Sequence, residues 1–182
     1  MKDLNLVRLT GTIFWSKLDD RQTYSVLRLG IKLDQGGSVF MSINNPTTKD
    51  YEVIKAGNKI ILSSGWLDTW EKKEGGSEVQ IKANGNCVQF FPKEKALPDI
   101  NNITVVGKVL AYSGDMATIE MYGDRNPKTN QPSIRKAQVQ IGDTYKDIIN
   151  SRIMLECKAT SVDTDGKSKL VIQANYDKIV IL

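Results

Sequence analysis

Histidine is missing altogether from the 182 residues. Its absence removes the usual general base, the imidazole of a nucleophilic triad and the commonest zinc ligand. Cysteine is scarce. Cys87 and Cys157 stand far apart, each in a strand-like run, and read as buried free thiols of a cytosolic protein rather than as a disulfide. No apolar run is long enough for export or membrane insertion, and Met1 leads into "KDLNLVRL" without a signal peptide. A cytoplasmic location and no membrane partner are therefore expected. A Gly-rich phosphate loop and a GxSxG elbow are also lacking. Asp and Glu are scattered, without the paired spacing of a hydrolytic or magnesium site. An enzyme is thus the minority reading, and no metal or cofactor is implied.

What remains is mildly basic, with net charge +4 and a sequence pI near 9.0. On its own this is weak support for a polyanionic partner. The aromatic residues are lopsided: all three Trp and all four Phe precede residue 92. Later residues offer only tyrosines, so two halves of similar architecture need not share the work equally.

The chain writes one strand twice. "SEVQIKANGNCVQFF" from Ser77 and "SKLVIQANYDKIVIL" from Ser168 align without gaps, with Val79/Leu170, Ile81/Ile172, Ala83/Ala174, Val88/Ile179 and Phe90/Ile181 in step. Upstream, "LVRLTGTIFW" alternates, with Val7, Leu9, Gly11 and Ile13 inward and Arg8, Thr10 and Thr12 outward. Trp15 falls on the inward parity and is expected to plug a barrel. "TYSVLRLGIKL" points Leu27, Leu29, Ile31 and Leu33 in. "SVFMSIN" points Val39, Met41 and Ile43 in and Phe40 out. "NKIILSSGWLDTW" is a fourth strand. "SKLDDRQ", "LDQGGS" and "KEGGS" carry turn chemistry between strands. The segment before strand four has room for a short helix.

The second copy follows the same plan, through "NITVVGKVLAY", "MATIEMYG", "IRKAQVQIG" and "SRIMLECKATSV". Gly107 stands for Gly11, and "DTDGK" is the last tight turn. "DTYKDIIN" is expected to give one helical turn with Asp143 as its N-cap. In both fifth strands the inward parity changes after the Ala-Asn pair, which predicts a bulge. Mid-strand Gly11 and Gly107 mark bends or close approaches. Five short bent strands with a helical turn between the third and fourth describe an OB barrel. The expected fold is all-β, two tandem five-stranded OB-fold barrels, with domains at 1–95 and 99–182.

An OB barrel binds ligands on the outer face of strands two and three and in the loops after strands one and four. In the first copy Arg28, Lys32 and Phe40 share that face. The hairpin after strand four carries Trp70, Lys72 and Lys73. Trp70 suits a platform for a stacked base, since stacking contributes roughly 1–3 kcal/mol per base whatever its identity. Lysine and arginine alongside would meet phosphates. Trp66 sits where alternation fails, so parity assigns it to neither face. In the second copy no acid falls between Asp124 and Asp143, a span holding Arg125, Lys128, Arg135 and Lys136. Tyr122 is its best aromatic. Glu120 and Gln138 make its outer face the poorer stacking surface.

The first copy resembles the bacterial single-stranded DNA-binding protein family. The resemblance rests on "NLVRLTGTI", "VLRLGI", "AGNKIILSSGWLDT" and "SEVQIKANGNCVQFF", covering about residues 4–92. It places Trp70 at the family's hairpin Trp and Phe40 near a stacking aromatic of the third strand. It implies a non-catalytic protein that coats single-stranded DNA in replication, repair or recombination. A homodimer with four barrels is implied too, with a monomer as the alternative. The family's Gly/Pro-rich tail with an acidic tip has no counterpart in this sequence; either such a tail lies outside this stretch of chain, or the chain resembles a divergent member such as a phage or mobile-element protein. Possible partners are single-stranded DNA and replication or recombination proteins. Rival readings are an OB protein-interaction module and an RNA-binding OB protein.

Overall fold

The computed structural model describes all residues except 1–2, 21, 72–76, 126–128 and 165–166. The side chains of residues 70, 71, 77, 124, 125, 143, 144, 146, 163, 164, 167 and 168 also lie outside the description. The chain is all-β, of the expected OB class. The first half holds β1 (Leu4–Asp20), β2 (Ser25–Lys32), β3 (Ser38–Asn44), β4 (Lys59–Glu71), β5 (Ser77–Asn84) and β6 (Val88–Phe91). A short helix α1 (Tyr51–Ile54) precedes β4; the Asp50 side chain caps it by accepting from the Glu52 N–H at 2.9 Å. The second half holds β7 (Asn101–Ser113), β8 (Met116–Arg125), β9 (Pro132–Gln140), β10 (Arg152–Thr164) and β11 (Lys167–Ile181).

The two halves pair their strands by the same scheme. In the first, β1 pairs with β2, β2 with β3, β3 with β5, β5 with β4, and β4 returns to β1. In the second, β7 pairs with β8, β8 with β9, β9 with β11, β11 with β10, and β10 returns to β7. Each circuit contains one parallel contact, β3 with β5 and β9 with β11. One side-chain device is also duplicated. The Asn5 amide donates to the Leu67 carbonyl and accepts from the Leu67 N–H, both at 2.8 Å. Asn101 brackets Ala159 in the same way, at 2.8 and 2.9 Å. Each asparagine thus satisfies two backbone groups, of β4 in the first half and of β10 in the second.

Antiparallel pairing of β1 with β7 joins the circuits, running from Leu4↔Val106 to Leu9↔Asn101. Asn5 faces Val105 and Leu9 faces Asn101; these two pairs are counterparts under the repeat, so the joint is self-complementary. Beyond Leu9, β1 leaves β7 and takes up β2 from Thr12 onward. The crossover point is fastened by Thr10. Its hydroxyl donates to the Pro98 carbonyl at 2.7 Å and accepts from the Ile100 N–H at 2.9 Å.

Burial follows alternation where the strands are regular. Leu27, Leu29, Ile31, Leu33, Val39, Met41 and Ile43 are all in the core, as are Val7, Leu9 and Ile13. Several expectations are corrected. Thr10 lies on the face expected outward but is buried, because the segment after Pro98 covers it. Most of "SKLDDRQ" is strand: β1 continues through Ser16–Asp20, each residue matched in register to β2, and the break comes only after Asp20. Gly142, at φ 73, precedes the 3-10 turn Asp143–Ile148 as its cap, with no side-chain cap bond, so Asp143 is not the N-cap. The break in the first fifth strand is a 3-10 turn at Gly85–Cys87. In the second it is a register shift inside a continuous β11, between Ala174 and Ile179. Ile181, expected inward, is exposed near the chain end.

Candidate nucleic-acid interface

An open cluster of aromatic rings arises from a bulge. In β1, Ile13 faces Ile31 but Trp15 faces Gly30, so Phe14 is an extra residue without a partner. The bulge resets the side-chain parity. Phe14 and Trp15 both turn outward, where they meet Phe40 of β3. The Phe14 and Phe40 rings lie 5.7 Å apart at 76°, and Trp15 and Phe40 6.1 Å apart at 70°. These are edge-to-face contacts, in which the edge of one ring meets the face of another. The three are 45%, 40% and 48% exposed, high values for packed aromatics. Trp15 is therefore no barrel plug. Phe14 escaped sequence reasoning, although an aromatic pair opposite the mid-strand Gly30 was a usable signal: glycine in a strand leaves room for a ring above it.

Cations border the trio. Arg28 is exposed and lies across from Lys17 in the β1–β2 ladder. The Asp19 carboxylate sits between them, 2.5 Å from Arg28 and 4.0 Å from Lys17. Lys32 is exposed at the far end of β2. Lys49 pairs with Asp20 at 2.8 Å. Hydrogen bonds from Lys49 and from the Ser25 hydroxyl hold the Asp20 carboxyl below the usual carboxylate range. A groove of about 360 Å³ opens beside the trio; Trp15, Arg28, Phe40 and Glu78 line it from the first half, Lys169 and Leu170 from the second.

Other sequence candidates are placed differently. Trp66 is half-buried, and the Arg135 guanidinium carbon lies 4.6 Å from its ring centroid. Next to it, the Thr69 hydroxyl donates to the Lys136 carbonyl at 2.5 Å, while the Lys136 side chain stays exposed. Two residues read on separate surfaces thus form one contact between the halves. Tyr122 is exposed, but acids engage it: its N–H donates to Asp3 at 2.8 Å and its hydroxyl to Glu120 at 3.0 Å. The bond to Glu120, and that carboxylate's charge, push the phenol pKa up. Trp70 pairs with Glu78 through the backbone ladder. The Trp70 and Arg125 side chains, and Lys72, Lys73 and Lys128 entirely, lie outside the described residues.

Register identifies what the second half has in place of the trio. Trp15 faces Gly30 and Gly30 faces Phe40; correspondingly, Ala111 faces Thr118 and Thr118 faces Gln138. Leu110 occupies the bulge of β7 as Phe14 does that of β1. The second half has no aromatic residue at the positions that match Phe14, Trp15 and Phe40.

No family model and no curated protein matches the sequence. Among thirteen solved chains that match in structure is a deletion mutant of the single-stranded DNA-binding protein from Thermus aquaticus. The superposition has a TM-score of 0.66 and covers 100% of this chain and 95% of that one, at 13% identity. The two share a fold. Likeness extends along the whole chain, beyond residues 4–92 where the sequence resemblance lay. Among the described residues there is no group of three or more His, Cys, Asp or Glu side chains placed to hold a metal, and no helix is long and apolar enough to cross a membrane.

Proposed function

We propose that this protein binds single-stranded DNA, without catalysis and with little sequence preference, through the outer face of β1–β3. Phe14, Trp15 and Phe40 stack bases; Arg28 and Lys32 meet phosphates. Trp70, Lys72 and Lys73 extend the surface from the following hairpin, and Arg125, Lys128 and Lys136 add a basic margin in the second half. The observation that carries this reading is the exposed aromatic trio. Three rings that touch one another stay 40–48% exposed beside cations. Every base offers a π-face, so such a surface tolerates any sequence. What the Thermus aquaticus protein is named for supports the same ligand.

In this reading the chain forms two OB domains, 1–95 and 99–182, acts in the cytoplasm in replication, repair or recombination, and pairs as a homodimer. Titration with oligo-dT tests the binding. Tryptophan fluorescence should be quenched, and the affinity should fall as salt rises. Trp15→Ala and Phe40→Ala should each weaken binding about 10- to 100-fold, from roughly 1–3 kcal/mol of stacking per base. Unchanged affinity in both variants overturns the placement; no binding by the unaltered protein overturns the function. A protein partner is the second reading, favoured by the exposed Tyr176, Val180, Ile181 and Leu182 at the end of the chain.

A further inference from the structure

The hairpin formed by β10 and β11 belongs by sequence to the second half, yet it reaches the first half's aromatic face. Its position is fixed. The Ser38 N–H donates to the Ser161 hydroxyl at 3.0 Å, and Lys158 Nζ to Gln35 Oε1 at 3.2 Å. These bonds join β10 to the start of β3 and to the turn before it. Lys169 and Leu170 on the neighbouring β11 consequently form the far wall of the groove that Trp15, Arg28 and Phe40 open. The same two residues, with Val79, also line a second cavity of about 120 Å³. Met116 and Gln138 line that cavity too. Gln138 is the positional counterpart of Phe40.

We propose that these cavities are one track, in which a single unpaired strand passes from the aromatic face to the Gln138 face over a saddle made by Lys169 and Leu170. The inference rests on the proposed DNA-binding function. Its chemistry changes along its length. Rings at the Phe40 end offer stacking to any base. At the crossing, Lys169 is exposed and its ammonium suits a phosphate. Leu170, next to it in β11, is half-buried, lines both cavities and offers the sugar-base side an apolar contact. Glu78 also lines this stretch and brings an acidic side chain to it. The Gln138 amide can donate to or accept from a base edge, so any base preference belongs at this end. Lys169 and Leu170 are thus positioning residues that the second half contributes to the groove on the first half's aromatic face.

The test uses the full chain and an oligo-dT ladder spanning roughly 4 to 16 nucleotides and then twice that range, the site sizes of one and two OB folds. The unaltered protein should gain affinity as the oligonucleotide outgrows the aromatic face. Lys169→Glu should abolish that gain, and Lys169→Ala should lower the salt slope for long oligonucleotides by about 0.7, the loss of one phosphate contact. Lys169→Arg should restore both. Lys178, on the same strand but paired with Glu156 at 2.6 Å, is the control, and Lys178→Ala should change neither. If the unaltered protein binds and Lys169→Glu matches it at every length, the track is wrong while the DNA-binding function stands. If the unaltered protein binds no oligonucleotide, both fall.

Discussion

The Phe14 ring lies where a side chain on Gly30 would have to go. A Cβ built on Gly30 falls 2.6 Å from Phe14 Cζ, well inside van der Waals contact. Mid-strand glycine here makes room for a ring, which in turn shoulders Phe40 at 5.7 Å. A bulge, a glycine and an aromatic residue on a third strand therefore make one object.

Gly30→Ala should push Phe14 off its seat and loosen the trio. Since the atoms that must give way are the far end of an exposed side chain, stability should change by no more than about 1 kcal/mol. Oligo-dT affinity should fall clearly. Gly11→Ala should behave oppositely: its Cβ would meet the Lys32 carbonyl oxygen at 2.6 Å and the Ile31 side chain, both in the barrel wall. Loss of about 1–3 kcal/mol is expected there. Thermal melts and titrations of the two variants check the contrast, which is refuted if Gly30→Ala is the less stable.

Asp19 occupies the two cations that a phosphate would need. Arg28 and Lys17 are about half exposed or more, so the pairs with Asp19 add little stability. Asp19→Asn should leave the melting temperature nearly unchanged, raise oligo-dT affinity at low salt, and steepen the salt dependence. Equal affinity at low salt would show that Arg28 and Lys17 do not reach the strand.

Trp66 and Arg135 should couple in folding rather than in binding. A double-mutant cycle with Trp66→Leu and Arg135→Met should give a coupling of about 0.5–1 kcal/mol, the size of a partly exposed cation–π pair. Oligo-dT affinity should shift less than in Trp15→Ala. A strong binding defect with no coupling would return both residues to the nucleic-acid surface.

The two thiols should differ sharply. Burial, with the nearby Glu156 charge, pushes the Cys157 pKa up to about 12, so its thiolate is scarce at any ordinary pH. Cys87 is only half-buried. Alkylation near pH 8 should label Cys87 alone in the native protein and both thiols in denaturant, as intact mass would show. Native labelling of Cys157 would mean that the second half opens readily.

Regular alternation was legible. β2 and β3 bury the residues that period two assigns inward, because both strands are paired without interruption through that stretch. Trp15 was misread because parity is counted along one strand, whereas a bulge is decided by the partner strand. Thr10 was misread for a related reason: what covers it begins at Pro98, far along the chain. Trp66 and Arg135 came from different halves, and nothing local to either announces the other. The repeat itself was plain in sequence, and the matched Asn5 and Asn101 brackets give it a structural meaning that alignment alone did not.

β1 hydrogen-bonds to β7 before it turns to β2, and Thr10 grips the connecting segment at the changeover. Cutting the chain near Pro98 would therefore strip each fragment of a seam along which it was sewn to the other. Such fragments, mixed after separate expression, are natural candidates for a split pair that regains its shape only on meeting.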